Sequence, residues 1–303
     1  FGTAAPKVTR LIALRRFLNI SGQADARRQR MPGDASTRSY SRLIGETRSL
    51  ILMNSPPRPD GPAIYDGKSY SAAVHLAEDV KPFVAIATGL RDRGYSAPAI
   101  YNADLESGFL ITEDLGTATF ITGDPPEPIV ARYQAATDML AVLHGEALPE
   151  TLPITPQIAY TIPHFDLEAM MVEVGLMLEW YLPDRNVTLP PRAHAEFILI
   201  WRELLTKALE APKTWMLRDF HSPNLIWLDD REDIAKVGVI DFQDAVIGPT
   251  AYDLVSLLQD ARIDVPEATE IAMLARYVAR RRSADPSFDP SAFAETYAAM
   301  SAQ

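Results

Sequence analysis

The chain has 303 residues, and its 29 Lys plus Arg against 40 Asp plus Glu give a formal charge of −11 and a pI near 5.0. A chain of this length buries about three quarters of its unfolded surface, and 47% hydrophobic with 23% charged residues exclude collagen-like, coiled-coil and wholly disordered chains. The absence of cysteine removes disulfide frameworks, zinc-thiolate clusters and cysteine nucleophiles, and the acidic balance argues against a nucleic-acid partner.

The first residues carry neither an initiator Met nor an apolar signal core, so the start reads as a tag remnant or trimmed end. No stretch of roughly 18 apolar residues occurs, and the expectation is a soluble cytoplasmic protein with no membrane partner. Val8, Leu11, Ile12, Leu14 and Leu18 have helical spacing. Residues 40–44 and 50–53 read as strands around a turn at 45–47, after a turn-rich loop at 32–36. The proline cluster Pro56, Pro57, Pro59 and Pro62 demands a loop. Residues 72–93 have helical periodicity ending near Gly94, and 100–102 with 109–112 form a second strand pair.

Beyond Gly116 the pattern turns helical: Val130, Tyr133, Thr137, Leu140 and His144 share one face, and Phe197, Trp201, Leu204, Leu205 and Ala208 share another. A Met-rich helix over 167–182 ends in Trp180 and Tyr181; its methionines read as packing, its aromatics as a candidate wall for a sugar ring or as core. Two short strands, 225–228 and 237–240, form a hairpin among the helices, which resume at 251–259, 267–282 and the end of the chain. Arg280, Arg281 and Arg282 read as a solvated helix end.

The hairpin carries the chemistry. Asp219 and Asn224 stand at the two ends of the loop before its first strand, and Asp241 leaves the end of its second. Pairing those strands sets Asn224 beside Asp241, and hard oxygen donors in that arrangement suit Mg²⁺ completed by phosphates and water. Asp219 is then left to orient a hydroxyl. An Asp-to-Asn spacing alone is common in loops; the hairpin and the later Ala251, Tyr252, Asp253 and Leu254 give it weight. His221 is a ligand, a base or a loop brace, and His75, His144, His164 and His194 show no metal spacing.

Asp219, His221, Pro223 and Asn224, then Ile240, Asp241 and Phe242, then Ala251 to Leu254 resemble the aminoglycoside phosphotransferase and choline kinase family. Gly33, Asp34, Ala35 and Ser36, with Arg38, Tyr40 and the 217–225 segment, are most similar to its bacterial members that phosphorylate the anomeric hydroxyl of N-acetylmuramate and N-acetylglucosamine during cell-wall recycling. The resemblance spans the chain. It implies an α+β, two-lobed, protein-kinase-like fold, with a small antiparallel-sheet nucleotide-binding lobe over 1–116 and a helical lobe over 117–303.

It also implies roles: Asp219 as catalytic base, Asn224 and Asp241 as Mg²⁺ ligands, the 32–39 loop with Gly33, Asp34 and Ser36 as a lid over the ATP phosphates, and Glu113 to Gly116, including Leu115, as the hinge meeting adenine. Asp253 is expected to brace the catalytic loop through backbone hydrogen bonds. The partner is a small sugar, with no protein partner indicated.

Three departures stand out. The strand that carries a phosphate-binding lysine in such kinases reads Leu50, Ile51, Leu52, Met53, which makes Arg38 and Arg42 the candidates to grip phosphate. Leu217 and Arg218 stand where His and Gly are usual. Gln243 replaces the Gly after Asp-Phe, which suggests a fixed loop. Aminoglycoside or amino-alcohol phosphotransfer, and a catalytically silent nucleotide-binding scaffold, are the competing readings.

Overall fold

The computed structural model describes residues 4–33, 38–57, 61–63, 65 and 67–303. Its first part comprises α1 (Ala4–Ile20), β1 (Arg27–Arg30), β2 (Ser39–Ile44), β3 (Ser49–Asn54), α2 (Tyr70–Ala73), α3 (Lys81–Arg91), β4 (Ile100–Asp104) and β5 (Phe109–Glu113). The strands form one antiparallel sheet in the order β1-β2-β3-β5-β4. Alternation gives it two apolar faces. Leu43, Leu50, Leu52, Phe109 and Ile111 meet Leu14, Phe17 and Leu18 of α1, with the Phe17 and Phe109 rings 5.6 Å apart. Met53 and Leu110 point the other way, into the core that contains α3.

The periodicity over 72–93 is split in two. His75 adopts a left-handed conformation (φ 58°) after α2. Pro82 sits in the first turn of α3, where its missing N–H costs no helical bond, and Asp79 accepts the Lys81 N–H at 2.8 Å. A local helix start therefore overrides a continuous apolar pattern. At the far end Gly94, with φ 87°, supplies the left-handed residue that lets the Tyr95 N–H return to the Leu90 carbonyl.

The second part contains a short hairpin, β6 (Ile121–Thr122) with β7 (Glu127–Pro128), then α4 (Val130–Leu143) and the hairpin β8 (Thr151–Thr155) with β9 (Ile158–Thr161). Helix α5 (Leu167–Leu176) widens into a π-turn at Met177–Tyr181 and runs on into α6 (Leu182–Asp184), followed by α7 (Pro191–Ala208). Strands β10 (Lys213–Met216), β11 (Leu225–Trp227), β12 (Val237–Val239) and β13 (Val246–Pro249) come next, and α8 (Tyr252–Leu258), α9 (Glu267–Ala284) and α10 (Pro290–Ala302) complete the fold. Met170 is fully buried, so the Met-rich helix does pack, whereas Trp180 and Tyr181 stand 69% and 52% exposed. Arg280 is not simply solvated: with Arg276 it grips Asp138 of α4.

The four short strands decide where the loops go. β11 pairs with β12 and β10 pairs with β13, so the ladders nest within one chain segment. Loops 217–224 and 240–245, each leading from one ladder to the other, are thereby held side by side. The expected hairpin is present, while β10 and β13 are additional; their Lys213 and Gly248-Pro249 ends mask the strand pattern.

Helix α3 joins the two parts. It is apolar on nearly every side, with Phe83, Val84, Ala85, Ile86, Ala87 and Leu90 buried, as expected of a helix enclosed by core. Gly89 lets Trp215 and Leu152 approach: a Cβ there would stand 2.8 Å from the Trp215 ring. The Phe83 ring stacks on Phe242, centroids 4.9 Å apart, directly beside Asp241. Phe83→Ala removes that stack from a closed core and is expected to lower unfolding free energy by about 3–5 kcal/mol, read by urea denaturation; a loss below about 1 kcal/mol would refute the packing role assigned to this ring.

Candidate active site

Loop 217–224 is anchored from beneath. Asp253, in the first turn of α8 and 1% exposed, accepts the Leu217 N–H at 2.7 Å and the Arg218 N–H at 2.8 Å, one with each carboxylate oxygen. Burial pushes its pKa up to about 7, against the pull of those two backbone bonds. The nearest imidazole, His144, is held neutral: burial drives it down to about 3, its Nδ1 lies 2.9 Å from the Tyr277 hydroxyl, and its Nε2 is 4.0 Å from Asp253. Asp253 is thus a positioning group, as the sequence implied.

Above it, Arg218 takes a left-handed backbone (φ 71°) and the Asp219 N–H folds back to the Leu217 carbonyl at 2.9 Å. For a side-chain-bearing residue such a turn is strained and persists only when over-determined. The buried Arg218 guanidinium supplies the determination: it ion-pairs with Glu173 of α5, donates to the Val74 carbonyl at 2.7 Å and lies over the Phe165 ring. Glu173 was not found from sequence, because nothing local marks a carboxylate 45 residues upstream as the partner.

The Asp219 carboxylate is 44% exposed. Partial burial, with Asp241 and then Asp244 as negative neighbours, pushes its pKa up to about 6. Asn224 closes the loop, its Nδ2 donating to the Asp219 carbonyl at 3.0 Å, while its Oδ1 takes no hydrogen bond from the described residues. The Ile240 N–H donates to the Asn224 carbonyl at 3.0 Å, so Asp241 begins immediately beside Asn224. Asp241 itself has φ 61°. Buried Gln243 donates from one amide nitrogen to Asp241 Oδ1 and to Asp244 Oδ2, both at 3.0 Å, which fixes the loop as expected of a residue larger than Gly. The other Asp244 oxygen accepts the Ala77 N–H at 2.6 Å, joining this loop to the segment between α2 and α3. Asp244 lies just past the motif, and only the fold gives it these contacts. His221 is buried with its Nε2 3.9 Å from Asp219 and 3.4 Å from Asn224 Nδ2. Burial and Arg262 lower its pKa.

The sheet contributes cations. Arg38, immediately before β2, reaches across to Asp241 Oδ1 at 3.2 Å. Arg42 does not: its guanidinium grips Asp114 at 2.6 and 3.1 Å, and Ser49 donates to the same carboxylate at 2.6 Å. Burial would raise Asp114, but Arg42, Ser49 and the Gly116 N–H bring its pKa below the usual carboxylate range. Glu113 is bound by Arg91, Arg231 and the Ala99 N–H. Leu115 is buried against the position of Gly238, and its backbone N–H makes no hydrogen bond among the described residues. Gly33 is exposed with no atom near its absent Cβ, and Asp34 and Ser36 lie outside the described residues. The structure therefore gathers Asp219, Asn224, Asp241 and Arg38 at one place and sets Arg42, Glu113 and Leu115 along the connection between sheet and helices.

A profile of the family described as phosphotransferase enzyme family matches residues 27–292. The chain is 36% identical over 299 residues to the N-acetylmuramate/N-acetylglucosamine kinase of Caulobacter vibrioides, an alignment covering 94% of this chain and 80% of that protein. It is 32% identical over 245 residues to the kinase of the same name from Pseudomonas aeruginosa, covering 80% of this chain and 63% of that one. Among solved structures, the choline kinase LicA of Streptococcus pneumoniae superposes with a TM-score of 0.56 at 12% identity, over 96% of this chain and 98% of that one, a likeness of fold.

Replacing Asp253 by Asn removes one of the two acceptors for the Leu217 and Arg218 N–H groups. The expected cost is about 1–3 kcal/mol in denaturation experiments, with amide exchange accelerated first in loop 217–224; unchanged exchange there would contradict the anchoring role.

Proposed function

Because the chain belongs to the phosphotransferase enzyme family, we propose that it is an ATP-dependent sugar kinase that passes the γ-phosphoryl group to the anomeric hydroxyl of N-acetylmuramate or N-acetylglucosamine, in the recycling of cell-wall sugars in the cytoplasm. The substrate pair is that of the relatives at 36% and 32% identity. The observation that carries the chemistry is the convergence of Asp219, Asn224 and Asp241 from two adjacent loops, with Arg38 arriving from the sheet. Residues 1–116 are assigned to the nucleotide and 117–303 to the catalytic loop and acceptor.

In this reading the Asp219 carboxylate accepts the hydroxyl proton as the sugar oxygen bonds to the γ-phosphorus and the bond to the β–γ bridging oxygen breaks. A carboxyl raised to about 6 is a better proton acceptor than an ordinary aspartate while still ionised at neutral pH. Phosphoryl transfer asks chiefly for alignment and charge neutralisation, and the over-determined loop supplies the first. For the second, the donor set fits a hard divalent cation: neither Asn224 Oδ1 nor Asp241 Oδ2 takes a hydrogen bond from the described residues. Asn224 and Asp241 would hold Mg²⁺, which when bound neutralises charge on the β- and γ-phosphates.

With no lysine on β3, Arg38 is assigned the phosphate grip, because its guanidinium already stands at the metal-ligand carboxylate. Arg42 is committed to Asp114 and reaches a phosphate only by leaving it, so its part is to orient the hinge. The unpaired Leu115 N–H, with Glu113 beside it, suits the adenine edge, and Gly33, Asp34 and Ser36 complete the loop over the phosphates.

Asp219→Asn is expected to lower turnover on N-acetylated sugars by about 10²–10⁴-fold while ATP still binds, as followed by mass spectrometry of products and calorimetry; full turnover in this variant would overturn the base assignment. Arg38→Ala is expected to raise KM for ATP by roughly ten-fold or more, with Arg38→Lys restoring part of it because Lys keeps the charge without the fork. An unchanged KM would transfer the grip to another cation.

A further inference from the structure

The charge of this chain is sharply divided. Residues 1–48 hold ten Lys and Arg against three Asp and Glu, a net +7, so the other 255 residues carry −18. Two of the ten cations, Arg38 and Arg42, belong to the site described above, Arg10 is folded onto Asn54 and the Phe109 ring, and Arg48 lies over Tyr101. The remaining six, Lys7, Arg15, Arg16, Arg27, Arg28 and Arg30, are exposed and form no ion pair among the described residues. Asp25 and Glu46 are the described acids of this segment.

Five of these cations, all but Arg27, stand on the α1 side of the sheet together with apolar groups. Leu14, Phe17 and Leu18 use the inner face of α1. On its outer face Val8, Leu11, Ile12 and Arg15 follow the i, i+3, i+4, i+7 spacing of a single stripe, flanked by Lys7 and Arg16. Val8, Leu11 and Ile12 are 53%, 62% and 50% exposed. Arg28 and Arg30 pair in register with Leu43 and Ser41, and since Leu43 points at α1 they project on the α1 side of the edge strand. The site lies off the opposite face of the sheet, the one on which Tyr40 packs into the larger core and beside which Arg38 meets Asp241.

We infer that the outer face of α1 and the edge strand β1 form a docking surface for a bilayer bearing anionic phospholipid headgroups. Cations bordering an aliphatic stripe on a surface helix are the pattern of interfacial attachment, in which headgroup phosphates meet the arginines while the aliphatic side chains enter the headgroup boundary. A nucleic-acid backbone would use the cations but offers nothing to Val8, Leu11 and Ile12. The expectation of no membrane partner rested on the lack of a spanning segment; no described helix is long and apolar enough to cross a membrane, and lying on a membrane asks for no such helix. The surface goes beyond the kinase reading and is independent of it.

Co-sedimentation of the full chain with vesicles tests this. Binding is expected to vesicles of phosphatidylglycerol with phosphatidylcholine, not to phosphatidylcholine alone, and to fade between about 0.05 and 0.5 M salt. Reversing Arg15, Arg16, Arg28 and Arg30 to Glu should weaken binding by roughly five-fold or more for each cation. Leu11→Ser with Ile12→Ser, which leaves the charges in place, should weaken it by roughly ten-fold and serves if the charge-reversed chain fails to fold by circular dichroism. Equal binding to both vesicle types, or undiminished binding by both variants, would overturn the inference. So would failure to bind vesicles together with charge-dependent capture of duplex DNA, or with a salt-sensitive dimer in light scattering that the reversals abolish. Because sugar phosphorylation needs no vesicle, loss of one result leaves the other standing.

Discussion

A buried carboxylate bonded to two consecutive backbone N–H groups is the constraint on which the site depends. Asp253 sits at the start of a helix in the core and takes its hydrogen bonds from Leu217 and Arg218. Such a group is costly to bury and is kept only where its acceptors are used. It converts the stability of α8 into a fixed origin for the loop that carries Asp219. The left-handed turn at Arg218 is then held from both ends, by Asp253 on its main chain and by Glu173 and the Val74 carbonyl on its guanidinium. Neither a flexible loop nor a single salt bridge would hold the Asp219 carboxylate as closely in place.

The second constraint is helix α3, which belongs by sequence to the sheet and by packing to the helical part. Its Phe83 ring rests on Phe242, and its preceding loop is fastened by Asp244. Both contacts end on the segment that presents Asp241. The carboxylates of the site are thus tied to core elements through residues one or two positions away, while Gln243 bridges Asp241 and Asp244 with one amide. Burial first and the neighbouring carboxylates second account for the raised Asp219, and those carboxylates attract Arg38 from the residue before β2.

Where two cations were equal candidates in the sequence, the structure separates them by neighbours alone. Arg38 and Arg42 stand four residues apart, one just before β2 and one on it, yet one faces a carboxylate of the site and the other a carboxylate of the connection between sheet and helices. In the same way Glu113 is consumed by Arg91 and Arg231, which leaves the main chain beside it as the polar group of that connection.

Local chemistry sufficed for much of this protein. Helical and strand periods, the proline cluster, and the Asp219, Asn224 and Asp241 spacing are properties of short segments; they yielded the order of most elements, and the family resemblance carried by those residues implied the two-lobed α+β class and the candidate site. Tertiary structure decided what no window of sequence contains: the outer ladder of β10 with β13, the Glu173 partner of Arg218, and the different carboxylates that Arg38 and Arg42 meet. The physical reason is common to all of them. A side chain's charge or shape is written in its own identity, but its free energy depends on which distant group the fold sets against it.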